Sequence, residues 1–201
     1  FGAKESICYE AKPHIGTDVL CSVVRNMRQE ILALGGQVRF ESQLTELHIL
    51  DGRVAGAVVN GEEFLPCSEL VLAVGHSARD TFQMLYEKKV PMDAKAFAVG
   101  LRVEHPQSMM NKAQYGREEA RVLGAASYKV TAKTSKGRGV YSFCMCPGGY
   151  VVNASSEPGR TTVNGMSYSG RGGRNANSAI IVSVTPEDFG SNHPLAGVEF
   201  Q

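Results

Sequence analysis

The stretch "LTELHILDGRVAGAVVNGEEFLP", Leu44 to Pro66, holds two Asx-Gly pairs, each set between apolar runs. Asp51-Gly52 separates Leu44–Leu50 from Val54–Val59, and Asn60-Gly61 separates that run from "EEFLP". Asn-Gly and Asp-Gly readily take the left-handed backbone of a two-residue hairpin turn. The stretch therefore reads as a three-stranded antiparallel meander.

Working outward, Val19, Leu20, Val23, Val24, Met27, Ile31 and Leu34 recur at three- and four-residue steps. That spacing predicts an amphipathic helix. Thr17 is its expected N-cap, Asp18 suits the positive end of the helix dipole, and Gly35-Gly36 is the expected stop. "QVRF" puts Val38 and Phe40 on one face of a short strand. On the far side of the meander, Leu70–Val74 is an unbroken apolar run, as expected of a strand buried on both faces, and it ends at Gly75-His76-Ser77. Residues 78–88 read as a short helix with Phe82 and Leu85 inward.

After Pro91 the texture changes. "KAFAVGLRVEH" reads as a strand and residues 106–125 as irregular. "SYKVTAKT", "GVYSFCMC", "YVVNASS", "TTVNGMS" and "AIIVSV" then read as five β segments with glycine-rich joints. Two regions are expected, residues 1–90 and a β-rich region 91–201.

Composition narrows the function classes. The 201 residues are 43% hydrophobic and 20% charged with a formal net charge of +1, so no nucleic-acid or membrane surface is expected. No apolar stretch approaches bilayer length and no leader is visible. Cys8, Cys21, Cys67, Cys144 and Cys146 form no regular framework, which predicts a reduced, cytoplasmic protein. A first residue Phe1 and a last stretch "HPLAGVEFQ" suggest a piece of a longer chain.

Several residues have the chemistry of a site. Gly75 suits a close approach of backbone to a ligand, or simply a turn that needs its dihedrals. Lys12 and His14 flank Pro13 before the first helix, as a surface turn or as cations at an anionic group. Cys144 and Cys146 form C-x-C, and on a regular strand they would face the same side. They are read as packing residues or as a dithiol pair; adjacent same-face positions strain a disulfide. Glu104-His105 reads as a pair making local structural bonds. Arg171 and Arg174, with Asn175 and Asn177, lie in the Gly-rich "SYSGRGGRNANS", which is a solvated loop or an anion-binding one.

The segments "KPHIGTDVL", "LAVGHSARDTF", "AKAFAVGLRVEHPQ", "QYG", "FCMCPGG" and "NGMS…R…ANSAIIV" resemble those of a family of bacterial FAD-dependent dehydrogenases of uncharacterised substrate, of the two-dinucleotide-fold type. The resemblance runs from about Lys12 to Gln201. It implies an α/β (α+β) chain: a partial Rossmann-type FAD-binding domain with a β-meander over 1–90, and an inserted β-rich substrate or cap domain over 91–201. It implies FAD beside Val38, Gly75, His76, Ser77 and Arg79, with Lys12, His14, Cys144, Cys146, Asn164 and Arg171 towards a small-molecule substrate. The implied activity is hydride transfer between that substrate and flavin, with the electron partner undefined. The dinucleotide fingerprint G-x-G-x-x-G is missing from this sequence, so the stretch alone is expected to bind FAD weakly or not at all. The rival readings are a non-catalytic substrate-binding or assembly module and a flavoprotein of tRNA modification, the latter opposed by the near-zero net charge.

Overall fold

In the computed structural model, which describes residues 1–119 and 122–201, both Asx-Gly pairs close hairpins. Asp51 and Gly52 have φ of 49° and 75°, and Asn60 and Gly61 have φ of 56° and 75°. Two successive positive φ values match the right-handed twist of the flanking strands.

The chain runs through a 3-10 turn (Glu5–Cys8), α1 (Thr17–Ala33), β1 (Leu44–Leu50), β2 (Arg53–Val59), β3 (Glu63–Pro66) and α2 (Arg79–Glu87). It continues with β4 (Phe97–Pro106), α3 (Gln107–Tyr115), β5 (Thr131–Lys133), β6 (Gly139–Cys146), β7 (Gly149–Asn153), β8 (Val163–Ser167) and β9 (Asn175–Val184). A second 3-10 turn (Pro186–Phe189) and α4 (Ala196–Phe200) complete it. Helices combined with antiparallel sheets make this an α+β fold. Among the described residues no helix is long and apolar enough to cross a membrane.

Two compact units divide the chain. One gathers Phe1–Val38 and Ala98–Ser183, the other Arg39–Phe97 and Val184–Gln201.

In the second unit β1, β2 and β3 form the antiparallel sheet, with Leu47 and Ala57 buried. Arg39 donates to both carboxylate oxygens of Glu63 on β3. α2 packs beside β1, aided by the ion pair of Lys88 with Glu46. Phe97, Phe189 and Phe200 form an aromatic cluster with ring centroids 5.5 to 6.3 Å apart. A cavity of about 400 Å³ is lined by Leu47, Ile49, Val54, Leu70 and Leu72, with Lys88 and Lys89 also on its wall.

In the first unit a four-stranded sheet has the order β4-β9-β6-β5, and β7 pairs with β8 in a separate hairpin. All five β segments expected after residue 126 are present. α1 ends as its glycines suggest: the Gly35 and Gly36 N–H groups donate to the carbonyls of Leu32 and Ile31.

Four local expectations are corrected. Gly16, not Thr17, is the N-cap of α1; glycine carries no capping side chain, and its φ of 89° and the Ser169 backbone against it leave no room for one. "QVRF" is irregular, with no described strand paired to it, and Phe40 is exposed. Leu70–Val74 is likewise no strand, and Val71 is 89% exposed. Residues 107–115, read as irregular, form α3. Pro106 supplies the entry with φ −60°, and Gly116 ends the helix in the left-handed region. The buried positions of α3 are polar, Gln107 and Asn111, so no apolar period announced it.

Candidate functional site

The first unit collects several chemistry-bearing residues around one loop, 168–174, which joins β8 to β9. Asp18, in the first turn of α1, accepts from the Ser169 N–H at 2.8 Å and from the Ser169 hydroxyl at 2.7 Å. The hydroxyl above all, and then the N–H, hold the Asp18 carboxyl below its ordinary range. The His14 ring shares a hydrogen bond at 3.1 Å with the Tyr168 carbonyl and lies 3.5 Å from the Ser167 hydroxyl. A side chain at Gly16 would overlap the Ser169 backbone, so the turn before α1 and the loop touch directly.

The other side of the loop meets the β6–β7 turn. Gly173 N–H donates to the Gly148 carbonyl at 3.0 Å, and a Cβ on Gly148 would overlap the Arg171 carbonyl. Gly148 also has φ of 54°, so both space and dihedral require glycine there. The buried Gln107 ties this turn to α3. Its Oε1 accepts from Gly148 N–H at 2.8 Å, and its Nε2 donates to Asn111 and to the Ala126 carbonyl. Gln107 N–H donates to the Arg174 carbonyl at 3.0 Å, closing the network onto the loop.

Arg171 sits within this clamp at φ 48°, a conformation that non-glycine residues seldom hold without support. Its Nε is buried and has no acceptor among the described residues.

Below the loop, Arg102 on β4 donates to Asn177 Oδ1 at 2.6 Å and to the Cys144 carbonyl at 3.1 Å. Asn177 is 0% exposed. A side chain at Gly165 would meet Arg102, Asn177 and Cys146, so the small residue lets the three converge. The β6–β9 register shifts between Phe143 and Cys146, and Cys144 has φ of 48°. This bulge breaks the alternation that would place both thiols on one side: Cys144 is exposed and Cys146 buried. Burial first, and the neighbouring Cys144 second, push the Cys146 thiol up, away from thiolate reactivity. All five cysteines are free thiols.

Glu104 accepts from Val151 N–H at 2.9 Å and from Asn175 at 2.6 Å, which lowers its carboxyl. His105 instead meets the Tyr128 hydroxyl at 2.9 Å. The adjacent residues thus serve different neighbours. Asn164 is exposed and its amide oxygen accepts from Gly165 N–H, while Lys12 is exposed.

Residues 96–201 match the family described as "FAD-dependent protein, C-terminal domain-like". The chain belongs to that family. It is also 54% identical, over 202 residues, to an "Uncharacterized protein" of Clostridium beijerinckii (strain ATCC 51743 / NCIMB 8052). That alignment covers 100% of this chain and 38% of the relative, so the chain spans about two-fifths of the relative's length. Cys144, Cys146, Asn164 and Arg171 fall inside the family match, together with Arg102, Gln107 and Asn177.

The remaining candidate residues lie outside the family match. Val38 is half-buried, in the irregular segment after α1. In the second unit, Gly75 has φ of 77°, and apart from its chain neighbours no described residue lies within 4 Å of where a Cβ would stand. His76 and Ser77 are exposed in the following turn. Arg79 donates to the Val198 carbonyl at 2.5 Å.

Arg102, Gln107 and the Asp18–Ser169 pair were not singled out by the sequence. A signal existed for Arg102: in "FAVGLRVEHP" the alternation puts Gly100, Arg102 and Glu104 on one face of β4, opposite Val99, Leu101 and Val103.

Proposed function

We propose that the intact protein is a flavin-dependent oxidoreductase, a dehydrogenase moving a hydride between a small molecule and FAD, and that this stretch supplies part of the cofactor flank and the substrate side. The observation that carries the reading is the match of residues 96–201 to an FAD-dependent family. FAD, when bound, supplies a two-electron acceptor or donor for hydride.

The chain's own residues fit a flank better than a grip. Gly75, at φ 77° and with open space over its Cα, admits close approach of a flat group to the backbone. His76 and Ser77 follow it as exposed polar groups, and Val38 offers backbone in an irregular segment. Arg79, engaged with the Val198 carbonyl, would hold the start of α2 in place. The pyrophosphate fingerprint is not in this sequence, and the relative is far longer than the stretch it shares with this chain. The dinucleotide grip is therefore assigned to the remainder of the full-length protein.

On the substrate side, the clamped loop presents Arg171, with His14 bonded to the same loop at Tyr168. Lys12 and Asn164 add exposed polar groups. Cys144 is the accessible thiol of its pair, and Cys146 the packing one. A net charge of +1 favours a small-molecule substrate over nucleic acid, and five free thiols favour a reducing, cytoplasmic setting.

The test is expression of the full-length protein. Absorbance at about 450 nm, flavin released on denaturation, and bleaching by a substrate under anaerobic conditions are expected. Protein that is folded, colourless and not reconstituted by added FAD overturns the reading. The stretch 1–201 alone is expected to bind FAD weakly or not at all; tight, stoichiometric binding by fluorescence titration would move the grip into this chain.

A further inference from the structure

The loop 168–174 is held more firmly than a surface connection requires. Arg171 N–H donates to the Tyr168 carbonyl at 3.0 Å, Gly173 N–H to Gly148 at 3.0 Å and Ser169 N–H to Asp18 at 2.8 Å. The Arg174 carbonyl accepts from Gln107 N–H at 3.0 Å. These bonds come from α1, from the β6–β7 turn and from α3, and together they keep Arg171 at φ 48°. A strained arginine held from three sides has its side chain aimed by the scaffold.

Among the described residues, the head of that side chain has no hydrogen-bond or ion-pair partner. The Arg171 Nε is buried without an acceptor among the described residues, and no described carboxylate pairs with the guanidinium. The carboxylates bonded around the loop are already engaged. Both oxygens of Asp18 accept from Ser169, and the two of Glu104 accept from Val151 and Asn175. A buried guanidinium N–H is retained where a partner satisfies it.

We propose that Arg171 is the carboxylate-binding residue of the substrate site, its planar fork taking both oxygens of a carboxylic-acid substrate. A planar carboxylate fits better than a phosphate. Glycine-rich loops bind phosphate through free backbone N–H groups, and here those of residues 169, 171 and 173 are spent inside the protein. The Arg171 guanidinium keeps a buried N–H without an acceptor among the described residues, and its parallel N–H groups match a carboxylate. The role as substrate anchor rests on the flavin-dependent reading above; carboxylate binding itself does not.

The experiment is calorimetric titration of the full-length protein with acetate, benzoate and succinate. Acetamide, benzamide and inorganic phosphate serve as comparison probes. Arg171→Gly suits the positive φ and so preserves the fold, Arg171→Lys keeps charge without the fork, and Arg174→Gln alters the neighbouring arginine. At least one carboxylate is expected to bind while its amide does not. Arg171→Gly should weaken that binding by about tenfold or more, Arg171→Lys should weaken it less, and Arg174→Gln should leave it unchanged. Carboxylate affinity indifferent to Arg171→Gly, phosphate bound in preference to every carboxylate, or no carboxylate bound at all would overturn the proposal. A colourless protein that loses carboxylate on Arg171→Gly keeps the site and overturns the flavin reading. A yellow protein whose carboxylate binding ignores Arg171 does the reverse.

Discussion

The meander β1–β3 and the apolar run Leu70–Val74 belong to the same unit, are both rich in valine and leucine, and differ in where their backbone partners come from. Each strand of the meander finds its partner after a two-residue turn, so its ladder is closed within 23 residues, Leu44 to Pro66. The run 70–74 has no described strand beside it, and its side chains stay largely exposed. An apolar β-branched composition therefore makes a strand only where another segment is placed to share its hydrogen bonds; the meander finds that segment next in sequence, β4 finds it in the distant β9, and a strand of the parallel-sheet type likewise needs neighbours from distant segments. Under the flavoprotein reading, those neighbours are in the remainder of the full-length protein.

The largest test of this contrast is amide hydrogen exchange on the 1–201 stretch and on the full-length protein. Amides of Leu70–Val74 should exchange almost freely in the former and be slowed by about a thousandfold or more in the latter, whereas those of β1 and β2 should be protected in both. Protection of 70–74 in the shorter chain would break the comparison.

Glycine substitutions separate the two regions next. Gly61 and Gly75 share almost the same backbone, with φ of 75° and 77°. In the full-length protein Gly61→Val should cost about 1–2 kcal/mol in urea unfolding, with flavin content unchanged. Gly75→Val should empty the protein of flavin, since the added side chain would fill the space open over that backbone. Flavin retained at full occupancy in folded Gly75→Val would place the cofactor elsewhere.

The smallest effect concerns the edge of the meander. Arg39 holds the Glu63 carboxyl below its ordinary value of 4.5, chiefly through the direct hydrogen bond. A depressed folded value stabilises the protein above the unfolded value, and the contribution fades as pH falls below about 4.5. Both side chains are largely solvated, so Glu63→Gln should shift stability only slightly at neutral pH, and the difference from wild type should vanish in acid. Acid-unfolding curves of the two proteins check this; a large neutral-pH loss would show the pair to matter beyond its exposure.

What could be read in advance followed local rules. The Asx-Gly turns, the 3.6-residue period of α1 and its glycine stop, and the β segments after residue 126 all have causes within a few residues. α3 escaped because its inward positions, Gln107 and Asn111, are held by hydrogen bonds instead of apolar contact. The bulge at Cys144 escaped because the spacing of two cysteines carries no record of an inserted residue. The amphipathic face of α1 was legible, but only Val23 is buried; Leu20, Val24, Met27 and Ile31 remain exposed. Lys12, His14 and Arg171 were recognised as residue types, but the clamp at Asp18, Gly148 and Gln107 joins positions up to 151 residues apart, which no local pattern encodes.

The chain passes between its two units at 38/39, 97/98 and 183/184. Neither unit is therefore encoded by one contiguous piece of gene, and no simple truncation yields either alone. A protease that nicks one connection leaves two others joining the pieces. During synthesis the segment Phe1–Val38 must wait while residues 39–97 emerge before its own partners, 98–183, are made. The second unit in turn gains Val184–Gln201 only after residues 98–183 have emerged. Within this stretch, two units interleaved along the chain thus mature together, and the self-contained meander is free to form early.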